Sequence, residues 1–232
     1  MISLVVPTYK ERQNIEKLVA RTGAALESIG EPFELIIVDD NSPDGTADEV
    51  RRLQQRRPWL KLIVRVNEKD LSTAVMAGWK AAQGDVLGCM DGDLQHPPEH
   101  LKKLVDALRT SGAGISVASR YVEHGSVSDW KFRRRIISWT ATKLAAVLLP
   151  AKIRRVKDPM SGFFFLQRSV LEGGNLKPIG YKILLEVLAR GRYERTVEVP
   201  YTFEERTRGG SKMGLRQVVQ YMLHLLRIRL MG

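Results

Sequence analysis

A single cysteine, Cys89, occurs in 232 residues, so no intramolecular disulfide can brace the fold and no oxidising compartment is implied. Cys89 sits inside an apolar run and reads as a small core residue rather than a nucleophile. Long apolar runs are missing as well. None approaches the roughly 20 residues that a membrane-spanning helix needs, and the longest candidate, Ile136 to Leu149, is interrupted by Lys143 and polar side chains. The opening Met1-Ile2-Ser3-Leu4-Val5-Val6-Pro7 lacks the basic start of a signal peptide and reads as a first strand. Together these absences point to a soluble or peripherally bound protein. Acid is in deficit: 26 Asp and Glu face 37 Lys and Arg, for a formal charge of +11. Such an excess favours an anionic partner, whether nucleic acid, phosphorylated substrate or membrane surface. Aromatics make up only 7% and do not interleave the basic residues, and no zinc spacing or basic zipper occurs. A nucleic-acid binder is therefore the weaker reading.

What is present is an alternation of two periods. Ile2–Val6, Phe33–Val38, Leu60–Val66, Asp85–Met90 and Gly114–Ser119 have the length and apolar character of strands. Between them Thr8–Ile29, Thr46 to about Arg56, Ser72–Gln83 and Pro98–Thr110 carry helical periodicity, with Thr46 placed to cap its helix. Strands alternating with helices imply right-handed crossovers and a mainly parallel central sheet flanked by helices, an α/β fold. Ligands in such sheets bind outside the carboxyl ends of the strands. That rule gathers Pro7 to Glu11, Asp39-Asp40, Asp91 to Gln95 and Arg120 around one crevice. The length fits one domain, 1–232, with no repeat or linker to divide it.

Asp91-Gly92-Asp93-Leu94-Gln95 is the most informative string. Continued as a strand, it would set Asp91, Asp93 and Gln95 on one face, with Gly92 allowing close approach of backbone or ligand. Three hard oxygen donors at a sheet edge suit Mg2+ or Mn2+, which keep positions open for phosphate oxygens. His96 beside two prolines reads as a loop-shaping residue rather than a further metal donor. Of the acidic neighbours Asp39 and Asp40, only one can face the crevice; Asp40 is assigned there and Asp39 to the turn.

The second half is basic and amphipathic. Lys131–Arg135 leads into the mixed helix Ile136–Leu149, and Ala151–Lys157 leads into Asp158-Pro159-Met160-Ser161-Gly162-Phe163. Tyr181–Arg190 is helical. Thr196–Phe203 reads as one strand with Val197, Val199, Tyr201 and Phe203 on one face. After a flexible basic stretch at Arg206–Lys212, the final helix Leu215–Arg229 sets Leu215, Val218, Val219, Met222, Leu225 and Leu226 on one stripe. Helices of this kind lie in bilayer interfaces.

Read in order, the strings Val5-Val6-Pro7-Thr8-Tyr9-Lys10-Glu11, Asp39-Asp40-Asn41-Ser42-Pro43-Asp44-Gly45-Thr46, Asp91-Gly92-Asp93-Leu94-Gln95-His96-Pro97-Pro98-Glu99, Ser119-Arg120-Tyr121, Asp158 to Phe163 and Tyr181 to Glu186 resemble the family-2 glycosyltransferases of the GT-A fold. Among these they are most similar to the dolichol-phosphate (polyprenol-phosphate) mannosyltransferases. The resemblance covers nearly the whole chain. It implies a GT-A-like nucleotide-diphospho-sugar transferase fold, with a nucleotide-sugar half at 1–120 and an acceptor, membrane-facing half at 121–232. The implied activity moves a sugar, typically mannose from GDP-mannose, with inversion onto a polyprenyl phosphate lipid; a UDP-sugar such as UDP-glucose is the alternative donor. Pro7, Tyr9, Glu11, Val38 and Asp40 fall where the family holds the nucleoside. Asp91, Gly92, Asp93 and Gln95 fall where it holds metal and diphosphate, and Arg120, Arg206 and Lys212 where it meets phosphate or sugar. Asp91, Asp93, Arg120, Arg134 and Asp158 are the candidate catalytic residues. Gly92 replaces the usual Ala, and Asp70 stands where Gly is frequent. Nucleic acid is not among the implied partners. A peripheral place on the cytoplasmic face of a membrane completes the expectation; many relatives continue into transmembrane helices, so the chain is either a short type that leans on a membrane-protein partner or a piece of a longer protein.

Overall fold

In the computed structural model the chain is described over residues 1–127, 151–204 and 215–231. Four strands, β1 (Ile2–Thr8), β2 (Phe33–Asp39), β3 (Leu60–Val64) and β4 (Val86–Cys89), alternate with α1 (Arg12–Glu27), α2 (Thr46–Gln54) and α3 (Leu71–Ala81). They pair in parallel, with β1 between β2 and β4 and β3 outermost. A single 3-10 turn at Pro98–His100 leads into α4 (Leu101–Thr110), and β5 (Ile115–Ser119) follows. Strand β1 is buried at every residue, as expected of a central parallel strand covered on both faces.

Three findings depart from the sequence reading. First, Phe164–Gln167 forms a strand, β7, that runs antiparallel between β4 and β5; with β8 (Thr196–Pro200) at the edge, the seven-stranded order is β3-β2-β1-β4-β7-β5-β8. Its residues Phe164, Phe165 and Leu166 are 0% exposed, so it reads as a short apolar run with no alternation to mark it. Second, Thr196–Phe203 is not one strand. It divides into β8 (Thr196–Pro200), parallel to β5, and β9 (Thr202–Phe203), which pairs with β6 (Ser126–Val127) in a separate two-stranded sheet. Tyr201 is the joint: its N–H donates to Ser119 O, and its carbonyl accepts from Ser126 N–H. Third, the stripe expected on the last helix is rotated. After the short α5 (Ala151–Arg154) and α6 (Ile183–Arg190) comes α7 (Leu215–Met231). It buries Tyr221, His224, Leu225 and Ile228 while Val219, Leu223, Leu226 and Leu230 stay exposed. His224 belongs to the buried face because its Nε2 lies 2.9 Å from Glu186 on α6.

The apolar core forms two layers, one on each side of the sheet. Helix α3 approaches β1 and β2 closely at Gly78, where an added Cβ would overlap the methyls of Val5 and lie 3.1 Å from Val38 Cγ2. Gly78→Ala should therefore overpack this contact at a cost of about 1–3 kcal/mol. A lower urea midpoint with an unchanged m-value is the expected result.

Candidate active site

The parallel strands deliver their carboxyl ends to one edge, and antiparallel β7 delivers its start there. Thr8, Asp39, Asp91, Arg120 and Gly162 therefore follow or precede neighbouring strands at the same edge. Three of the connecting loops hold a non-glycine residue at positive φ: Lys10 at 57°, Asn41 at 50° and Leu94 at 61°. Left-handed backbone at such residues is costly and tends to cluster where a site dictates loop shape.

The β2 edge separates the two adjacent acids as expected. Asp39, 0% exposed, closes a turn: it accepts from Thr8 Oγ1 at 3.0 Å, Ser42 N–H at 2.8 Å and Ser42 Oγ at 2.6 Å. Asp40 points elsewhere, and the structure gives it a partner that sequence reasoning missed. Arg65 donates to Asp40 Oδ1 through Nε at 2.7 Å, to Thr73 Oγ1 at 2.7 Å and to the Asp70 carbonyl at 2.8 Å. Asp70 N–H completes the set on Asp40 Oδ2 at 3.1 Å. Burial raises the Asp40 carboxyl above its ordinary pKa, and Arg65 works against that rise. Asp70, in place of a frequent Gly, caps α3 by accepting from Thr73 N–H at 3.1 Å. Thr46 does not cap α2 as expected but is its first residue, after Gly45 at the cap position; Asp44 accepts from Thr46 N–H and Oγ1, while Thr46 Oγ1 receives Glu11 N–H at 3.1 Å. Glu11 Oε2 accepts from Asn14 Nδ2 at 2.7 Å. Tyr9 is half-buried, with Lys10 and Lys69 ammonium groups 5.4 and 5.3 Å from its ring centre. Val38 is 0% exposed; its side chain backs the crevice from the core instead of opening on it.

At the β4 edge the strand ends at Cys89, and Gly92-Asp93-Leu94 turns. The alternation expected through Asp91, Asp93 and Gln95 therefore does not continue. A local turn replaces it, with Gln95 N–H donating to Asp93 Oδ1 at 3.1 Å. Gln95 is nonetheless anchored: Nε2 donates to Glu204 O at 3.1 Å, which leaves the amide oxygen as its remaining ligand atom. Among the described residues no group of three or more His, Cys, Asp or Glu is arranged to hold a metal ion. The donor set at hand is two carboxylates and one amide oxygen. That chemistry fits a hard divalent cation whose other positions are filled by phosphate and water. Gly92 is buried, and a Cβ there would lie 3.1 Å from Thr8 Cγ2 and 3.3 Å from Pro7 O. His96 is 2% exposed and packs on Phe163, Tyr201 and Phe203.

On the far side, Arg120 is held by Asp158. Backbone N–H, Nε and Nη2 of Arg120 donate to the carboxylate at 3.1, 2.8 and 2.7 Å. Burial alone would lower the guanidinium pKa, but Asp158 outweighs it and the group stays charged. Asp158 itself is 1% exposed and receives Glu198 support through its own N–H at 3.0 Å. Both carboxylate oxygens of Asp158 are thus engaged by Arg120. Lys182 is a second cation that the sequence did not flag. It donates to Met160 O at 2.9 Å. Burial and the neighbouring Arg120 lower its pKa to about 8, against the pull of Asp91 and Asp158. Arg134, Arg206, Lys212 and the helix expected at 136–149 lie outside the described residues.

Comparison with known proteins places these features in context. The profile of Glycosyl transferase family 2 matches residues 3–174. The dolichol-phosphate mannosyltransferase of Pyrococcus furiosus is 46% identical over 227 residues, which are 98% of this chain and 63% of that protein. The chain thus spans under two thirds of that relative's length. The Saccharomyces cerevisiae dolichol-phosphate mannosyltransferase is 42% identical, over 96% of this chain and 85% of its own. The Mycolicibacterium smegmatis polyprenol monophosphomannose synthase is 36% identical, over 90% of this chain and 80% of its own. In three dimensions, glucosyl-3-phosphoglycerate synthase of Mycobacterium tuberculosis, solved with Mn2+ and UDP-glucose, superposes with a TM-score of 0.70 at 17% identity. It covers 100% of this chain and 79% of that one. The shared architecture is the GT-A-like fold.

Arg65→Met tests the buried pair. Stranding Asp40 should cost about 3–5 kcal/mol at neutral pH. The Asp40 carboxyl, already raised by burial, would rise further without the guanidinium. A raised carboxyl gives stability that is present at low pH and lost as pH climbs through its folded pKa. The deficit seen by thermal unfolding should therefore shrink on acidification from pH 7 toward pH 5.

Proposed function

The chain belongs to glycosyl transferase family 2, and from that premise we propose that it is a polyprenyl-phosphate mannosyltransferase. It moves mannose from GDP-mannose onto the phosphate of a long-chain polyprenol, with inversion at the anomeric carbon. The observation that carries this reading is the meeting of two oppositely charged groups at one sheet edge. Asp91 and the Arg120–Asp158 pair both lie within electrostatic reach of Lys182. Carboxylates suit the donor's metal-borne diphosphate, and fixed cations suit an anionic acceptor.

The acceptor phosphate is already ionised, so no strong base is needed to make it a nucleophile. One of its oxygens attacks the anomeric carbon, the bond from that carbon to the diphosphate oxygen breaks, and GDP leaves with the electron pair. Catalysis then rests on placing two anions together and stabilising the departing one. Asp91, Asp93 and Gln95 hold Mg2+ or Mn2+, which when bound neutralises diphosphate charge as a Lewis acid. Arg120, immobilised by Asp158, presents a guanidinium of fixed orientation to phosphate, a geometry that favours forked binding. Tyr9, Glu11 and Asp40 line the nucleoside end, and Arg134, Arg206 and Lys212 supply further cations on the acceptor and donor sides. Residues 1–120 form the donor half and 121–232 the acceptor half.

The acceptor is a lipid, so the enzyme works at a membrane surface. Val219, Leu223, Leu226 and Leu230 are 50, 52, 45 and 82% exposed. Their spacing of four, three and four makes one apolar stripe along α7, bordered by Arg229. No helix among the described residues is long and apolar enough to cross a bilayer. The stripe lies in the interface of an anionic leaflet, on the cytoplasmic face, where each clustered basic residue adds about 1 kcal/mol of attraction.

Two measurements test this. In a thermal-shift screen of GDP, UDP and their sugars, GDP and GDP-mannose should stabilise the chain by mass action only with Mg2+ or Mn2+ present, and Asp93→Ala should abolish that dependence. Stabilisation by UDP-sugars alone would overturn the donor assignment. In flotation at low salt, the chain should rise with anionic vesicles, and Leu223→Ser with Leu226→Ser should leave it in the soluble fraction.

A further inference from the structure

Two neighbours, His96 and Gly162, meet the Asp91 carboxylate, and Tyr201 reaches it through His96. His96 Nε2 lies 3.3 Å from Asp91 Oδ2. The other ring nitrogen, Nδ1, lies 3.0 Å from the Tyr201 hydroxyl. Gly162 provides the space: a Cβ there would stand 2.5 Å from Asp91 Oδ2 and 2.8 Å from its Cγ. The ring cannot swing away, because Phe163, Tyr201 and Phe203 pack around it with centroids 5.3, 5.6 and 5.2 Å distant.

The proton positions follow from donor and acceptor rules. An ionised carboxylate only accepts, so the bond to Asp91 requires the hydrogen on Nε2. In the neutral ring Nδ1 is then a lone pair, and the Tyr201 O–H fills it. Burial pushes the phenol well above its ordinary pKa, so it remains a donor. Tyr201 is itself fixed at the joint between β8 and β9 by its backbone bonds to Ser119 and Ser126.

We propose that Tyr201, His96 and Gly162 are positioning residues for Asp91: Tyr201 sets the histidine tautomer, His96 orients the carboxylate, and Gly162 leaves the volume that this orientation occupies. The chain runs from the strand joint of the acceptor half, through one hydroxyl and one imidazole, to a carboxylate of the donor half. Outer partners of this kind typically govern metal affinity by about 10–100-fold. The inference rests on the reading that Asp91 serves a metal-borne diphosphate.

The test is Mn2+ binding to the full chain in the presence of GDP, followed by electron paramagnetic resonance, alongside thermal unfolding. Tyr201→Phe removes one oxygen and no packing volume. It should weaken Mn2+ by about tenfold while the thermal midpoint moves by no more than about 4 °C. His96→Gln, which can keep an N–H toward Asp91, should retain more affinity than His96→Ala. Gly162→Ala should weaken Mn2+ with the ring network intact, and it decides the matter if a ring variant does not fold. Mn2+ affinity within twofold of wild type for Tyr201→Phe and Gly162→Ala, with Asp91→Asn clearly weakened, overturns this inference alone, whatever happens to stability. No Mn2+ binding by the wild type would overturn the cation assignment and this inference together.

Discussion

The site depends on one strand that runs the wrong way. Antiparallel β7 pairs with β4 and with β5, so three successive residues, Phe164, Phe165 and Leu166, each have a partner on both sides and join the two halves of the sheet. A parallel strand in that slot would bring its end to this edge and would need a long crossover to get there. An antiparallel one brings its beginning. That beginning is Gly162-Phe163, preceded by Asp158, which places the glycine against Asp91 and the carboxylate beneath Arg120. The fully buried Phe163, Phe164 and Phe165 anchor the strand on both faces, so neither contact can drift without opening the core.

The charged groups at this edge are fixed in pairs. Arg65 with Asp40 and Arg120 with Asp158 are each buried to within a tenth of full enclosure. Buried pairs contribute little net stability against an apolar alternative, because desolvation offsets their attraction. Their value here is geometric. A guanidinium already held by a bidentate carboxylate does not have to be ordered when an anionic ligand arrives, and that preorganisation is what electrostatic catalysis requires. Glu186 does the same for the periphery. Despite burial, His224 and the Lys177 N–H hold its carboxyl below the usual range, and the bond to His224 docks α7 on α6. That bond turns the apolar stripe of α7 outward.

The parallel half of the fold was legible because its strands are uniform apolar runs between amphipathic helices, and the edge residues Asp40, Asp91, Asp93 and Arg120 follow from that alternation. What escaped has physical causes. Strand β7 is four residues long, too short to show a period. The α7 stripe was misplaced because the hydropathy pattern does not show that His224, bonded to Glu186, belongs to the buried face. Arg65 and Lys182 are single cations in unremarkable surroundings, and only the fold brings them beside Asp40 and Arg120. The strand alternation assumed through Asp91 to Gln95 failed because Leu94 takes a left-handed backbone at φ 61°, which no pattern of polarity announces.

Under the proposed transfer between two anions, the groups that neutralise the donor must not neutralise the acceptor's cations. At this edge two carboxylates sit against guanidinium groups and a third against an imidazole. Arg120 is held by Asp158 through its backbone N–H, Nε and Nη2. Asp91 lies against an imidazole, with His96 Nε2 3.3 Å from its Oδ2. Lys182, whose pKa is lowered to about 8 by burial and Arg120, lies between the two sides with Asp91 and Asp158 opposing that shift. The fold can hold opposite charges at one sheet edge without collapse because each of the two guanidinium–carboxylate pairs closes locally, Arg65 with Asp40 and Arg120 with Asp158.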